Sequence, residues 1–252
     1  DVRPTATTVV GVTPPLVNGT PARPSSTSSS VGDIGFSHAQ PSYFSIDKLT
    51  PKGPRVNADV GQPHDSTREL ATATPTLSAG SWWCALGGWP SPKLRDTTEI
   101  FLVLSGHGCV TDLDGVKHFF GPGDTVVLPK GWSGRWDILQ DIHKVWFVYD
   151  HPNIEETSTP IRAVITPYSR LTHGKAADDS LTSPKRLHHI IYNVGPTQVD
   201  CGMRGTGSWF FNNCDYTEGL HVLDGVFYLS EQDGKARRCI AGDTVLLPKG
   251  WT

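Results

Sequence analysis

The chain has 252 residues and a formal net charge of −3, from 22 Lys plus Arg against 25 Asp plus Glu. That length makes one large domain or two small ones, and the near-neutral balance removes the electrostatic footing for nucleic acid or an anionic membrane surface. Gly 26 and Pro 20, beside eight Trp and one Met, argue against a helical bundle and for short strands joined by turns, and no apolar run approaches the ~20 residues needed to span a bilayer.

Residues 1–60 differ from the rest. The stretch from Pro4 to Val31 includes TPPLVNGTPARPSSTSSSV and has neither helical nor strand periodicity. Such composition buries too little apolar surface to offset chain entropy. It is expected to form an extended, low-complexity arm held by the body of the protein or by other protein subunits. The first residue is Asp1 rather than Met, so a processed or partial form is expected. That is compatible with a soluble cytoplasmic protein or an organellar one after loss of a targeting peptide, and the compartment is open. The five cysteines (Cys84, Cys109, Cys201, Cys214, Cys239) are odd in number and contain no CxxC, so reduced thiols are expected rather than a disulfide framework or a zinc ribbon.

From about residue 78 the pattern changes. Ser81–Leu86, Ile100–Leu104, Lys117–Phe120, Thr125–Leu128, Arg135–Ile138 and Lys144–Tyr149 are short and rich in Val, Ile, Phe and Trp, and Gly, Pro and Asp separate them. Strands at that spacing predict an all-β sandwich or barrel. The DLDG at Asp112–Gly115 predicts a hairpin turn.

The chain then repeats itself. Shifted by 119 residues, Glu99–Ser133 lies on Glu218–Thr252 without a gap. EIFLVLSG falls on EGLHVLDG, and GDTVVLPKGW (Gly123–Trp132) on GDTVLLPKGW (Gly242–Trp251). Upstream, Gly80-Ser-Trp82 is matched to Gly207-Ser-Trp209. Two copies of one β-unit are predicted: an arm over 1–60, a first barrel over 61–150, a linker over 151–186 and a second barrel over 187–252. The first copy continues through GRWDIL and HKVWFVY, whereas the second stops at Trp251-Thr252. The second is therefore expected to be incomplete at its C-terminus or closed by another chain.

The repeated pattern, Glu, then Gly106 or Gly225, a DG turn and G-D-x-V-x-L-P-x-G-W, resembles the two motifs of the cupin superfamily. The form GDTVVLPKGWSGRW followed by HKVWFVY is similar to the (S)-ureidoglycine aminohydrolase-type (cupin_3) branch. The resemblance covers about residues 77–149 and 187–252. It implies two tandem jelly-roll barrels and, because cupin barrels commonly pair edge to edge, a possible homodimer. It also implies a manganese-dependent hydrolase acting on C–N bonds of a small ureido compound.

Metal-binding cupins use an H-x-H pair, a Glu, and a His after the second motif. Glu99 and Glu218 hold the Glu position. Before Glu99 the His positions carry Lys93 and Arg95, or Pro92 and Leu94; before Glu218 they carry Asn212 and Cys214, or Phe211 and Asn213. After Pro129-Lys-Gly131 the His position is Gly134. No metal is expected in the first barrel. Cys214 and Glu218 are weak candidates in the second, where manganese or another divalent ion would belong only if that barrel were a working site. The remaining candidates for a small-ligand site are Glu99, Lys93, Arg95, Trp132 and Trp136 in the first barrel and Glu218 in the second. The catalytic residues are open.

Three functions follow. The first is a non-catalytic bicupin acting as an accessory or structural subunit of a larger assembly, with residues 1–60 on a partner. The second is a ureidoglycine aminohydrolase-like or other small-molecule hydrolase or isomerase with its site in the second barrel. The third is a metal-free small-ligand sensor that uses Glu99, Arg95 and Trp136.

Overall fold

The computed structural model describes residues 7–13, 35–70, 75–152, 160–171, 175–176, 186–204, 208, 214–231 and 234–251. The described chain is nearly all β, with one short helix, α1 (Tyr168–Leu171). The first half contributes β1 (Thr7–Thr13), β2 (Ser37–Ala39), β3 (Thr50–Pro54), β4 (His64–Leu70), β5 (Leu77–Cys84), β6 (Gly87–Ser91), β7 (Thr98–Asp112), β8 (Lys117–Phe120), β9 (Thr125–Leu128) and β10 (Gly134–Tyr149). The second half contributes β11 (Val164–Thr166), β12 (Lys175–Ala176), β13 (Arg186–Val194), β14 (Thr197–Arg204), β15 (Glu218–Asp224), β16 (Val226–Ser230), β17 (Ala236–Ile240) and β18 (Thr244–Leu247).

Two sheets run in the same order. One reads β11-β9-β7-β10-β5-β4-β3, and the other β2-β18-β15-β1-β14-β13-β12. The repeat is reproduced bond for bond. Arg95 N donates to Trp132 O at 2.9 Å and Gly131 N to Arg95 O at 2.8 Å; in the second copy Cys214 N donates to Trp251 O at 3.1 Å and Gly250 N to Cys214 O at 2.6 Å. Gly106 needs its hydrogen-only side chain: its φ is +83°, and a Cβ there would collide with the backbone of Asp141.

Two expectations change. Residues 7–13 form a strand inside the stretch expected to be an arm, because β1 pairs with both β14 and β15. It sits where β10 sits between β5 and β7 in the first sheet. The β-branched run TTVVGVT satisfies a ladder even though it lacks polar alternation, since a strand with neighbours on both sides has no need of it. Within the stretch 1–60, expected to be held by the body of the protein or by other subunits, residues 37–39 and 50–54 pack on the chain's own barrels. β2 pairs with β18 of the second, and β3 and β4 extend the first. The upstream match is also corrected. The register puts Ser81 opposite Val145 and Cys201 opposite Val10, so β14 rather than Gly207-Ser-Trp209 takes the place of β5. Residues 209–213, with Trp209, lie outside the described residues, as does most of Pro4–Val31.

Strand alternation divides the interior into separate cores. Phe101, Val103, Trp82, Trp136 and Trp146 fill the first barrel. Ile100, Val127, Val145 and Phe147 point the other way and meet Tyr192, Val199, Cys201 and Leu246 of the second sheet. The two faces approach closely: a Cβ on Gly219 of β15 would lie 2.6 Å from the Phe147 ring. Phe44, at the end of the 3-10 turn Pro41–Phe44, plugs this inter-barrel core and is 2% exposed. All five cysteines are buried and free.

Phe44→Ala is expected to lower unfolding free energy by about 3–5 kcal/mol through the lost transfer and the cavity left behind. Urea unfolding checks it. An unchanged midpoint would mean that residues 41–44 are not docked between the barrels.

Candidate ligand-binding site in the first barrel

Strand period two aims Glu99, Phe101 and Val103 of β7, and Lys144 and Trp146 of β10, into the first barrel, where they meet Trp82 of β5. Gly80 makes room for them, since any side chain there would strike the Trp146 indole. Glu99, Lys144, Trp146 and Trp82 line a cavity of about 280 Å3, with Lys52, Arg55, Trp89, Arg95 and Trp136 completing its wall.

A buried ion pair lies at its floor. Lys144 Nζ donates to Glu99 Oε1 at 2.6 Å, and Arg95 Nη2 lies 2.8 Å from Glu99 Oε2. Lys144 is 4% and Glu99 8% exposed. The ammonium is also ringed by aromatic faces, 3.9 Å from the Phe101 centroid and 4.8 Å from those of Trp82 and Trp136, a favourable arrangement for a desolvated cation. Burial pushes the Glu99 carboxyl up, but the Lys144 and Arg95 charges outweigh it and hold it down at about 2. Burial pushes the Lys144 ammonium below its ordinary value, and Glu99 offsets part of that shift.

A second layer surrounds the pair. Asp65 of β4 is buried and accepts from Arg55 Nη1 at 2.8 Å and Trp82 Nε1 at 2.7 Å. The Arg55 guanidinium lies over the Trp89 ring, 4.6 Å from its centroid. Trp89 stacks on Trp136 with an interplanar angle of 10°. Two donors are left over. Arg55 Nε and Arg95 Nε are buried without a hydrogen-bond partner. Cavity-lining guanidinium donors in that state fit an acceptor supplied by a ligand.

Of the candidates read from the sequence, Glu99, Arg95 and Trp136 meet in this cavity. Lys93 does not: its side chain is 83% exposed and pairs with Asp96 at 2.8 Å. It stands two residues before Arg95, between β6 and β7. Trp132 is fully buried, and its Nε1 donates to Asp112 Oδ1 at 2.7 Å. It is a structural anchor rather than a wall of the site. Glu218 and Cys214 lie in the second barrel at the positions of Glu99 and Arg95. Burial, and Glu218 after it, push the Cys214 thiol up. Among the described residues no third His, Cys, Asp or Glu completes a ligand group with them. His221, a satisfied histidine, is buried with its Nδ1 3.0 Å from Thr244 Oγ1.

The residues missed were Arg55, Lys144, Trp82, Trp89 and Trp146. Lys144 carried a readable signal. It stands two before Trp146 in a run of inward and outward apolar residues, so its charge had to be buried. Arg55 carried none, because it arrives from the segment outside the repeat.

The manganese implied by the resemblance does not fit the first barrel. Glu99 is the sole ligand-type residue at the expected positions, and two cationic side chains already occupy its oxygens. A divalent cation there would meet like charge.

Comparison with known proteins places the fold. Residues 72–146 match the family model of the EutQ-like cupin domain. The first barrel is thus similar to domains of that type over this span. Over most of its length the chain superposes on a Pseudomonas aeruginosa protein described as glyoxylate-induced, with a TM-score of 0.63, 14% identity, and 90% of this chain and 85% of that chain covered. It is similar to protein Ylba from E. coli (TM-score 0.53, 12% identity, 88% and 86% covered). It is also similar to a DUF861-family protein of unknown function from Pseudomonas syringae pv. tomato (TM-score 0.51, 17% identity, 86% and 92% covered). At these identities the likeness is one of fold. No curated protein matches the chain.

The ion pair makes two testable demands. Lys144→Met leaves Glu99 buried with half its compensation and is expected to cost about 3–5 kcal/mol, while the double variant Lys144→Met/Glu99→Leu recovers most of it. Denaturant unfolding decides; a double variant as unstable as the single one would show that packing rather than charge holds this floor together. The pH dependence has a definite sign. The folded value of Glu99, about 2, lies below its ordinary 4.5. Its stabilisation is therefore complete above pH 4.5 and is lost as pH falls toward 2. Glu99→Gln should flatten that acid limb relative to the parent chain; an unchanged limb would contradict the pairing.

Proposed function

We propose that this cupin protein is a metal-free receptor whose first barrel binds a small organic carboxylate. The observation that carries the reading is an aromatic cavity whose wall includes Arg55 and Arg95, each with a buried Nε that has no hydrogen-bond partner. Four cations line that cavity (Lys52, Arg55, Arg95, Lys144) against two carboxylates, Glu69 and Glu99. Guanidinium groups match the fork of a carboxylate. Trp89 and Trp136 offer flat faces for the rest of the ligand, and the size limits it to a metabolite-scale molecule.

In this reading Lys144 does what a metal ion does in other barrels of this shape. It supplies a fixed positive charge at the floor, held by Glu99 and by aromatic faces. Arg95 has one nitrogen on Glu99 and stands on the cavity wall, where its guanidinium adds positive charge for the ligand. Manganese-assisted hydrolysis of a ureido compound needs donors that the first barrel lacks.

Tryptophan fluorescence titration with a panel of small carboxylates and their amides tests this. Carboxylates should bind and amides should not. Arg95→Leu and Arg55→Leu should each weaken binding by roughly 10- to 100-fold, the worth of a charge-assisted hydrogen bond. Equal binding of acid and amide, or no carboxylate binding at millimolar concentration, would overturn the proposal.

A further inference from the structure

The two copies of the β-unit serve as internal controls for each other at one further place. In the first copy β11 covers the edge of β9, with Ile165 opposite Val126. In the second copy β2 covers the edge of β18, with His38 opposite Val245. His38 therefore stands where Ile165 stands. By the 119-residue shift Cys239 stands where Phe120 stands, and Asp243 where Asp124 stands.

In the first copy this corner is apolar and complete. Phe120 is 3% exposed and packs against Phe101 and Trp136. Asp124 is satisfied at both oxygens: Oδ2 accepts from Gly121 N at 2.9 Å and Oδ1 from Tyr168 N at 3.2 Å. In the second copy the aromatic ring has become a thiol and the isoleucine an imidazole. Asp243 is fully buried. Its Oδ2 accepts from Ile240 N at 3.0 Å and lies 2.8 Å from His38 Nε2. Its Oδ1 is buried with no hydrogen-bond partner. His38, Cys239 and Asp243 each offer one ligand atom, and these atoms all lie within 4.8 Å of one another.

The exchange makes little sense as packing. A thiol fills far less space than a phenyl ring, and an unpaired carboxylate oxygen in the interior is costly. It does make sense as coordination. One sulfur, one imidazole nitrogen and one carboxylate oxygen form a mixed donor set suited to zinc-type transition metals rather than to magnesium or calcium. A thiolate and a carboxylate balance a divalent charge. His38 retains slight exposure, at 10% of its side chain, so that water can reach a fourth position.

We propose that His38 Nε2, Cys239 Sγ and the Asp243 carboxylate form a zinc-type site that locks residues 37–39 onto the edge of the second barrel. On binding, the cation takes the Cys239 sulfur as thiolate, and the thiol proton leaves to solvent. In the metal-free form the His38 Nε2–H donates to Asp243; on binding, neutral His38 takes the tautomer with its proton on Nδ1, by exchange with solvent, which frees the Nε2 lone pair for the metal. No electron is transferred. The site is separate from the carboxylate site of the first barrel and lies at a different corner from Glu218.

The test uses the full chain, stripped with chelator and then titrated with Co2+ as an optical stand-in for Zn2+. A thiolate-to-cobalt charge-transfer band saturating at one equivalent, reversed by Zn2+, is expected. Cys239→Ser should abolish the band. His38→Gln, which still offers a donor to Asp243 and leaves the buried thiol in place, should weaken Co2+ binding by about tenfold or more. It serves as the deciding variant if circular dichroism shows Cys239→Ser unfolded. Zn2+ should raise the melting temperature of the parent chain and not that of His38→Gln. Absence of the band in the folded parent chain, or a band of unchanged affinity in His38→Gln, would overturn the assignment. Carboxylate binding by the first barrel is read separately and stands or falls on its own.

Discussion

The sixteen residues of β10 have to serve two cores at once, because successive side chains of a strand leave on opposite faces. Trp136, Lys144 and Trp146 face the first barrel, while Val145 and Phe147 face the second sheet. A slip of one residue would put Lys144 between the barrels and Phe147 into the ligand cavity. Register is therefore pinned from both sides. β5 and β7 flank this strand through its second half, and β6 and β7 through its first. The cavity, the ion pair and the contact between barrels all follow from that one strand being fixed.

The buried pair at the floor shows how this constraint becomes chemistry. Removing two charges from water costs several kcal/mol for each ion, and a single contact does not always repay it. Here the ammonium has a carboxylate at 2.6 Å and three aromatic faces, and the carboxylate has a second cation at 2.8 Å. A well-packed apolar pair could hold the barrel as firmly. What it could not do is present fixed positive charge to a cavity that also contains Arg55 and Arg95.

The fold was legible because it rests on repetition and punctuation. GDTVVLPKGW and its second copy set the same turns 119 residues apart, and the hydrogen bonds at Arg95 and Cys214 match one for one. The cavity was half legible. Glu99, Arg95 and Trp136 stand near the motif, so a barrel drawn from the motif brings them together. Lys93 failed because a loop side chain has no period to fix its direction. Trp132 failed because its indole N–H had a buried partner, Asp112, that spacing alone does not reveal. Arg55 was invisible: it reaches the site by pairing of β3 and β4 at the sheet edge, a long-range event with no local signature. Residues 7–13 were misread for the same reason. A strand whose two neighbours come from the far end of the chain carries no trace of them in its own sequence.

The divergence of the two copies then becomes physically intelligible. Glu99 has its counterpart in Glu218, but the arginine that holds it is replaced by Cys214, and the register position of Lys144 is taken by Val9 of β1. The set of cations that holds Glu99 down is therefore not repeated at these two positions of the second copy. The two copies thus differ at the positions that flank this glutamate. At the opposite corner the loss runs the other way. The first copy keeps the apolar Ile165 and Phe120, and the second carries His38 and Cys239 around an aspartate they share. One scaffold has placed its polar cost in the barrel interior in one copy and at the sheet edge in the other.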